Sequence, residues 1–102
     1  MHTTPQIAFL GGGNMATAII TGMINQGGFA PQQIIVIEHS AEQRDHLHRT
    51  LGVATFENLA TATHLSPDVW VLAVKPQSMK TALSELSPLV KSDQVALSIA
   101  AG

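Results

Sequence analysis

The sequence predicts an α/β fold in which helices cover both faces of a doubly wound parallel sheet. Three observations support it: apolar segments of strand length alternate with helix-like segments, the apolar segments are apolar on both faces, and a glycine-rich turn follows the first of them. Strands of this kind are typical of parallel sheets, because helices bury both faces of such a sheet. Right-handed crossover connections then favour the strand order 3-2-1-4-5.

The first half of the chain predicts two strand–helix units. Short apolar or β-branched runs predict the strands, and apolar residues at helical spacing predict the first helix. Ser40 is a residue type that caps helix N-termini, and Gly52 is a residue type that ends helices. The expected elements are strands at Ile7–Leu10 and Ile34–Ile37, and helices at 14 to about 26 and at Ala41–Leu51.

The second half repeats the alternation with a weaker third strand. A turn at 66–68 precedes the clearest apolar run of this half, and Pro76 interrupts the chain after that run. Amphipathic spacing then predicts another helix. The expected elements are strands at 53–56, 69–74 and 95–99, a short helix near 58–63, and a longer helix at 78–90.

Composition limits the possible functions. The formal net charge is -2 without a basic block, which argues against binding to nucleic acid or to an anionic membrane. Cysteine is absent and the five histidines show no ligand spacing, so we predict no metal site. The carboxylates do not cluster, so catalysis by paired carboxylates has no candidate. The N-terminus lacks a signal-peptide pattern and no apolar run is long enough to span a membrane, so a cytoplasmic location is expected.

A low content of charged residues leaves two interpretations of the surface. Only 12% of residues are charged, which is about half the usual share. One interpretation is that a partner domain or subunit covers part of the surface. The other is that the chain is simply a small domain rich in alanine and threonine.

The strongest local signal is the glycine-rich segment between the first strand and the first helix. Residues 11–16 fit the pattern G-x-G-x-x-A in the context that a Rossmann-type dinucleotide-binding domain requires. Gly11 allows a tight turn, Gly13 lets a pyrophosphate approach the backbone, and Ala16 lets the helix pack close to the sheet. The N–H groups at the helix N-terminus then face the phosphates. The alternative is a glycine-rich turn that only joins a strand to a helix.

Glu38 ends the second strand, where a ribose-binding carboxylate is expected about 20 residues after the glycines. A carboxylate there accepts hydrogen bonds from an adenosine ribose, which suggests NAD. Ser40 and Arg44 follow, and both are able to hold the 2′-phosphate of NADP. Each residue also has a simpler interpretation: Glu38 as a solvated loop acid, Ser40 as a helix cap and Arg44 as a surface charge. The choice of cofactor therefore stays open.

The ends of the fourth and fifth strands belong to the same predicted site. Ligands of open α/β sheets lie at the carboxyl ends of strands near the switch point, and Lys75 and Pro76 directly follow the fourth strand. No residue in the sequence is identified that would lower the pKa of Lys75, so we predict no catalytic residue in this chain. The small residues of 98–102 follow the fifth strand, where they leave room for a flat ring or simply pack on the sheet.

Three motifs together resemble the first domain of the pyrroline-5-carboxylate reductase family. They are FLGGGNMA at 9–16, AVKPQ at 73–77 and SIAAG at 98–102, and their order and separation also match. The resemblance implies reduction of 1-pyrroline-5-carboxylate to L-proline, in proline biosynthesis, with hydride from NADPH or NADH. It also implies a cofactor at the glycine loop, at Ser40 and its neighbours, at Asn58 near the adenine, and along the strand ends.

The cofactor-binding residues predicted from the pattern and the resemblance together are Gly11, Gly12, Gly13, Asn14, Met15, Ala16, Glu38, Ser40, Arg44, Asn58, Ala73, Val74, Lys75, Pro76, Ile99, Ala100 and Ala101. NADP(H) and NAD(H) both remain candidates, because Glu38 stands where NADPH-preferring members of the family often carry an uncharged residue.

The resemblance implies that residues 1–102 are the NAD(P)-binding domain alone. A helical C-terminal domain, absent from this chain, would bind most of the substrate and form a homo-oligomer, so we expect this fragment by itself to be inactive. Two alternatives remain open. One is another reductase with the same first domain, such as a 3-hydroxyacid dehydrogenase, and the other is a non-catalytic nucleotide-binding module.

Overall fold

Five parallel strands form one sheet of order β3-β2-β1-β4-β5 in the computed structural model, which describes residues 5–62 and 64–99. The predicted fold class and strand order are therefore confirmed. The strands are β1 (Ile7–Leu10), β2 (Ile34–Ile37), β3 (Ala54–Phe56), β4 (Val69–Leu72) and β5 (Val95–Ser98). The α-helices are α1 (Asn14–Asn25), α2 (Ala41–Leu51) and α3 (Pro76–Leu86), and short 3₁₀ helices lie at Pro31–Gln33, Leu59–Ala62 and Ser87–Leu89.

Helices bury both faces of the three central strands. On one face, Phe9 of β1 packs in a cluster with Ile20 of α1 and Leu47 of α2. On the other face, Trp70 of β4 packs in a cluster with Leu86 of α3. All five side chains are at most 1% exposed, so the apolar side chains on both faces of the sheet contribute to the hydrophobic stabilisation of the fold.

The start and end of α2 agree with the sequence prediction. The Ser40 hydroxyl accepts a hydrogen bond from the backbone N–H of Gln43 at 3.2 Å, which caps the helix N-terminus. Gly52 follows the helix with a φ of 74°, in the left-handed conformation that commonly ends helices. The helix therefore begins and ends where its residue types predict.

Several other boundaries differ from the predictions. α3 begins at Pro76, not at 78, because proline is well tolerated in the first turn of a helix, where its missing N–H has no partner to lose. It ends at Leu86 instead of 90, because Pro88 disfavours continuation of the α-helix, and a 3₁₀ turn follows. β4 ends at Leu72 instead of 74, and β5 ends at Ser98 instead of 99. The short helix expected near 58–63 is a 3₁₀ turn at Leu59–Ala62, and Thr63 lies outside the described residues.

The chain leaves β1 through Gly11, which has a φ of +105°. Its N–H donates to the carbonyl oxygen of Ile37 at 2.9 Å, so the pairing with β2 continues into the turn. A Cβ at this position would lie 2.3 Å from the carbonyl oxygen of Ala73. Both the positive φ and the nearby backbone of Ala73 therefore require glycine at this position.

We expect Gly11→Ala to lower the free energy of unfolding by about 2–4 kcal/mol, because it combines a strained φ with a clash against backbone atoms. Gly13→Ala is the matched control. Gly13 has a φ of −78°, and a Cβ there meets no described atom within 4 Å. Urea unfolding of both variants measures the difference, and equal stabilities would contradict this account of the turn.

Candidate functional site

The carboxyl ends of the strands meet at one edge of the sheet. Leu10 lies beside Ile37 and Leu72 in the strand register, and Leu72 lies beside Ser98. The residues that follow these strand ends therefore come together: Gly11, Glu38, Ala73 and Ile99. This edge contains the switch point between β1 and β4, where open α/β sheets bind ligands.

Two adjoining cavities lie at this edge. The first, called the loop cavity here, has a volume of about 830 Å³ and lies between the glycine-rich turn and the connection from β4 to α3. The second, called the α3 cavity, has a volume of about 390 Å³ and lies between α3 and the segment after β3. They share Gly11, His39, Val74, Gln77 and Ser78, so together they form one groove across the sheet edge.

The N-terminus of α1 faces the loop cavity. Gly13 is its N-cap, and in the described part of the chain no side chain caps this helix and no acidic residue lies in its first turn. The first N–H groups of a helix have no partner within the helix and carry partial positive charge. Gly13 lines the cavity, and open space surrounds the position that its Cβ would take. The loop therefore fits an anionic group that approaches the backbone closely.

Side chains from the start of α2 and the end of β2 hold the middle of the glycine-rich turn. The Glu38 carboxylate accepts hydrogen bonds from the N–H of Gly12 at 2.9 Å and from the N–H of Ser40 at 3.0 Å. The side-chain amide of Gln43 donates to the Gly12 carbonyl oxygen at 2.6 Å. The Arg44 guanidinium donates to the backbone carbonyl oxygen of Glu38 at 2.9 Å.

The structure brings most of the predicted cofactor-binding residues into the groove. Those that line the two cavities are Gly11, Gly12, Gly13, Asn14, Met15, Glu38, Asn58, Ala73, Val74, Lys75 and Pro76. The remaining predicted residues have other positions. Ala16 is buried in the core cluster beneath α1, and Ile99 packs against that same cluster. Ser40 caps α2, and Arg44 donates to the Glu38 carbonyl oxygen. Ala100 and Ala101 lie outside the described residues.

Several groove residues were missed by the sequence analysis. α3 starts directly at the sheet edge, so its first turns line the α3 cavity through Gln77, Ser78 and Thr81. Proline at a helix start was the signal that could have placed this helix two residues earlier. Nothing in the sequence indicates the contact between Gln43 and Gly12, because it joins residues 31 positions apart.

Metal and membrane sites were searched over the described residues. No group of three or more His, Asp or Glu side chains in residues 5–62 and 64–99 is arranged to hold a metal ion. Within the same residues, no helix has the length and apolar character that crossing a membrane requires.

Comparison with curated proteins confirms the resemblance seen in the three motifs. Over 96 residues, the chain is 47% identical to the pyrroline-5-carboxylate reductase of Haemophilus influenzae. The alignment includes 94% of this chain and 34% of that protein. The chain thus spans about a third of the length of the relatives it matches.

Solved structures support the fold. The pyrroline-5-carboxylate reductase of Coxiella burnetii matches 95% of this chain and 36% of its own, with a TM-score of 0.81 and 35% identity. The prephenate dehydrogenase of A. aeolicus, solved with NAD+, matches 95% of this chain and 34% of its own, with a TM-score of 0.83. Its sequence is only 15% identical, so that likeness concerns the fold alone.

A family model decides the membership. The model described as NADP oxidoreductase, coenzyme F420-dependent, matches residues 6–102, which is nearly the whole chain. The match includes the glycine-rich turn, both cavities and all described strands. The chain therefore belongs to the NADP oxidoreductase coenzyme F420-dependent family.

Proposed function

We propose that this chain is the cofactor-binding part of a pyrroline-5-carboxylate reductase, which reduces 1-pyrroline-5-carboxylate to L-proline with NADPH or NADH. The observation that carries the proposal is the 47% identity to a reductase of that name, which extends over 94% of the chain. A nicotinamide dinucleotide is the cofactor class that the family description supports, since it names NADP. The groove geometry supports the same class.

The groove offers each part of a dinucleotide a suitable environment. We infer that the pyrophosphate lies at the N-terminus of α1, where N–H groups and the helix dipole favour negative charge. Gly13 leaves the space that close approach needs. The adenosine then extends past Glu38 toward the α3 cavity, which Leu10, Ile37 and Leu59 line with apolar surface and Asn58 with a polar amide.

The nicotinamide half is proposed to follow the strand ends. The backbone of Ala73 and Val74 lines the loop cavity on the β4 side of the glycine-rich turn, and Lys75 is exposed at its rim. When bound, the reduced nicotinamide supplies a hydride to the carbon of the C=N bond of the substrate. The residues of this chain bind and orient the dinucleotide, and no catalytic residue is assigned among them.

The rest of the site is proposed to lie on a second, helical domain, which also forms the homo-oligomer. β5 supports this division, because it is one of the two edge strands of the described sheet and all four of its residues are exposed. Val95 and Leu97 are each 52% exposed on the sheet face that α1 and α2 cover elsewhere. Parallel sheets are ordinarily covered on both faces, so the second domain is proposed to pack there.

Three alternatives to this proposal rest on different observations. The family description names coenzyme F420, which favours hydride exchange between a deazaflavin and NADP as a second candidate. The fold shared with a prephenate dehydrogenase shows that the same architecture occurs in an oxidoreductase with a different name, and fold alone does not decide the substrate. A non-catalytic nucleotide-binding module is a third reading, and it is disfavoured by the identity to reductases.

We expect Gly13→Val to weaken binding of NADH and NADPH at least about tenfold, since its γ-methyl groups enter the space proposed for the pyrophosphate. The fold should remain, because among the described residues no atom beyond the adjacent ones lies within 4 Å of the added Cβ. Calorimetric titration measures the affinities. Ala18→Val is the matched control, on an exposed position of the same helix, and should bind like the wild type. Unchanged affinity of Gly13→Val would move the cofactor away from this loop.

We expect the chain by itself to bind a nicotinamide dinucleotide without reducing 1-pyrroline-5-carboxylate, because it spans about a third of its reductase relatives. Spectrophotometry of dinucleotide oxidation, together with assay of proline, measures turnover. The Haemophilus influenzae reductase in the same assay is the positive control. Proline formation by this chain alone would show that the proposed division between two domains is wrong.

A further inference from the structure

Gln43 lies in the first turn of α2, three positions after the N-cap residue Ser40. In a capping box, a glutamine at this position turns its side chain back to the backbone N–H of the N-cap residue. In this chain the N–H of Ser40 donates to the Glu38 carboxylate instead, at 3.0 Å. The Ser40 hydroxyl still accepts from the backbone N–H of Gln43. The start of α2 is therefore capped without the side chain of Gln43.

The side-chain amide of Gln43 reaches the glycine-rich turn. It donates to the carbonyl oxygen of Gly12 at 2.6 Å, in a part-buried contact between residues 31 positions apart. Leu47 lies one helical turn further along the same side of α2, and a Cβ on Gly12 would lie 2.8 Å from its side chain. α2 therefore contacts Gly12 with one polar and one apolar side chain, which together hold its carbonyl group in place.

The hydrogen bond to Gly12 also sets the direction of the next N–H group. The Gly12 carbonyl and the Gly13 N–H belong to one peptide group, and in a planar trans peptide these two bonds point in opposite directions. The described residues contain no cis peptide bond. Because the Gly12 carbonyl points to Gln43 on α2, the Gly13 N–H points away from α2.

The Gly13 N–H is available to a ligand. In the part of the chain that the structure describes, no acceptor bonds to it, and Gly13 is exposed at the loop cavity. A donor bound to the carbonyl oxygen of a peptide polarises that peptide, which makes its N–H a stronger hydrogen-bond donor. The Gln43 amide therefore both orients and strengthens the Gly13 N–H as a donor.

We propose that Gln43 is a positioning residue, which acts through the Gly12–Gly13 peptide to aim the Gly13 N–H at the pyrophosphate of the dinucleotide. The inference rests on the proposed cofactor function of the groove. Gln43 lines neither of the two cavities, so its influence on binding does not require contact with the ligand. NADH and NADPH share the pyrophosphate, so the contribution of Gln43 is the same for both.

Calorimetric titration of Gln43→Met with NADH and NADPH is the first test. Methionine has nearly the size of glutamine but lacks the amide donor, so we expect both affinities to fall about three- to tenfold, as for one lost hydrogen bond. Gln33→Met is the matched control and should bind like the wild type. The Gln33 amide also donates to a backbone carbonyl oxygen, that of Pro5 at 3.0 Å, but it lies at the opposite end of β2.

Nuclear magnetic resonance of the free chain separates positioning from a general loss of structure. In Gln43→Met, the resonance of the Gly13 amide nitrogen should move upfield, because its peptide is no longer polarised through the Gly12 carbonyl. The amide of Gly27, beyond the far end of α1, is the internal reference and should keep its resonance. Saturation with NADH should shift the Gly13 amide in the wild type, and by less in Gln43→Met.

The outcomes distinguish this inference from the proposed function. Wild-type affinity in Gln43→Met, or an unmoved Gly13 amide, would overturn the positioning role and leave the cofactor function intact. An equal fall in affinity in Gln33→Met would also overturn it, because the effect would then come from lost stability rather than from the turn. Binding of neither dinucleotide by the wild type would overturn the proposed function and this inference together.

Discussion

The close contact between the first turn and the end of β4 is the constraint on which the rest of the site depends. Gly11 has a positive φ, and its backbone lies so near the carbonyl of Ala73 that a side chain would clash. This contact brings the chain out of β1 sharply enough for α1 to begin at the switch point of the sheet. The N-terminus of α1, the β4–α3 connection and the groove between them all follow from that geometry.

The glycine-rich turn and the segment after β2 behave as one unit. In the sequence they are separated by a whole helix and a strand, yet Glu38 and Gln43 bind the same glycine. The glycine-rich side of the groove is therefore linked to the side that follows β2. The position of Gly12 therefore depends on two side chains that are distant from it in the sequence.

The fold and the function are supported by different kinds of observation. A prephenate dehydrogenase shares the fold at 15% identity, so the architecture by itself does not decide the function. The similarity to pyrroline-5-carboxylate reductases is more specific, because it reaches 47% identity over 94% of the chain. β5 leaves two apolar side chains half exposed, Val95 and Leu97, and the proposed second domain would cover them.

The sequence alone determined the order of strands and helices, the caps of α2 and the identity of the glycine-rich turn, because these depend on local residue types and short-range periodicity. It misplaced the ends of α3, where two prolines compete with the amphipathic pattern. Only the tertiary structure decided the direction of Glu38, the contact of Gln43 with Gly12 and the contact of Arg44 with the Glu38 carbonyl oxygen. These are side-chain orientations between distant segments, and they depend on how α2 packs against the sheet rather than on any local pattern.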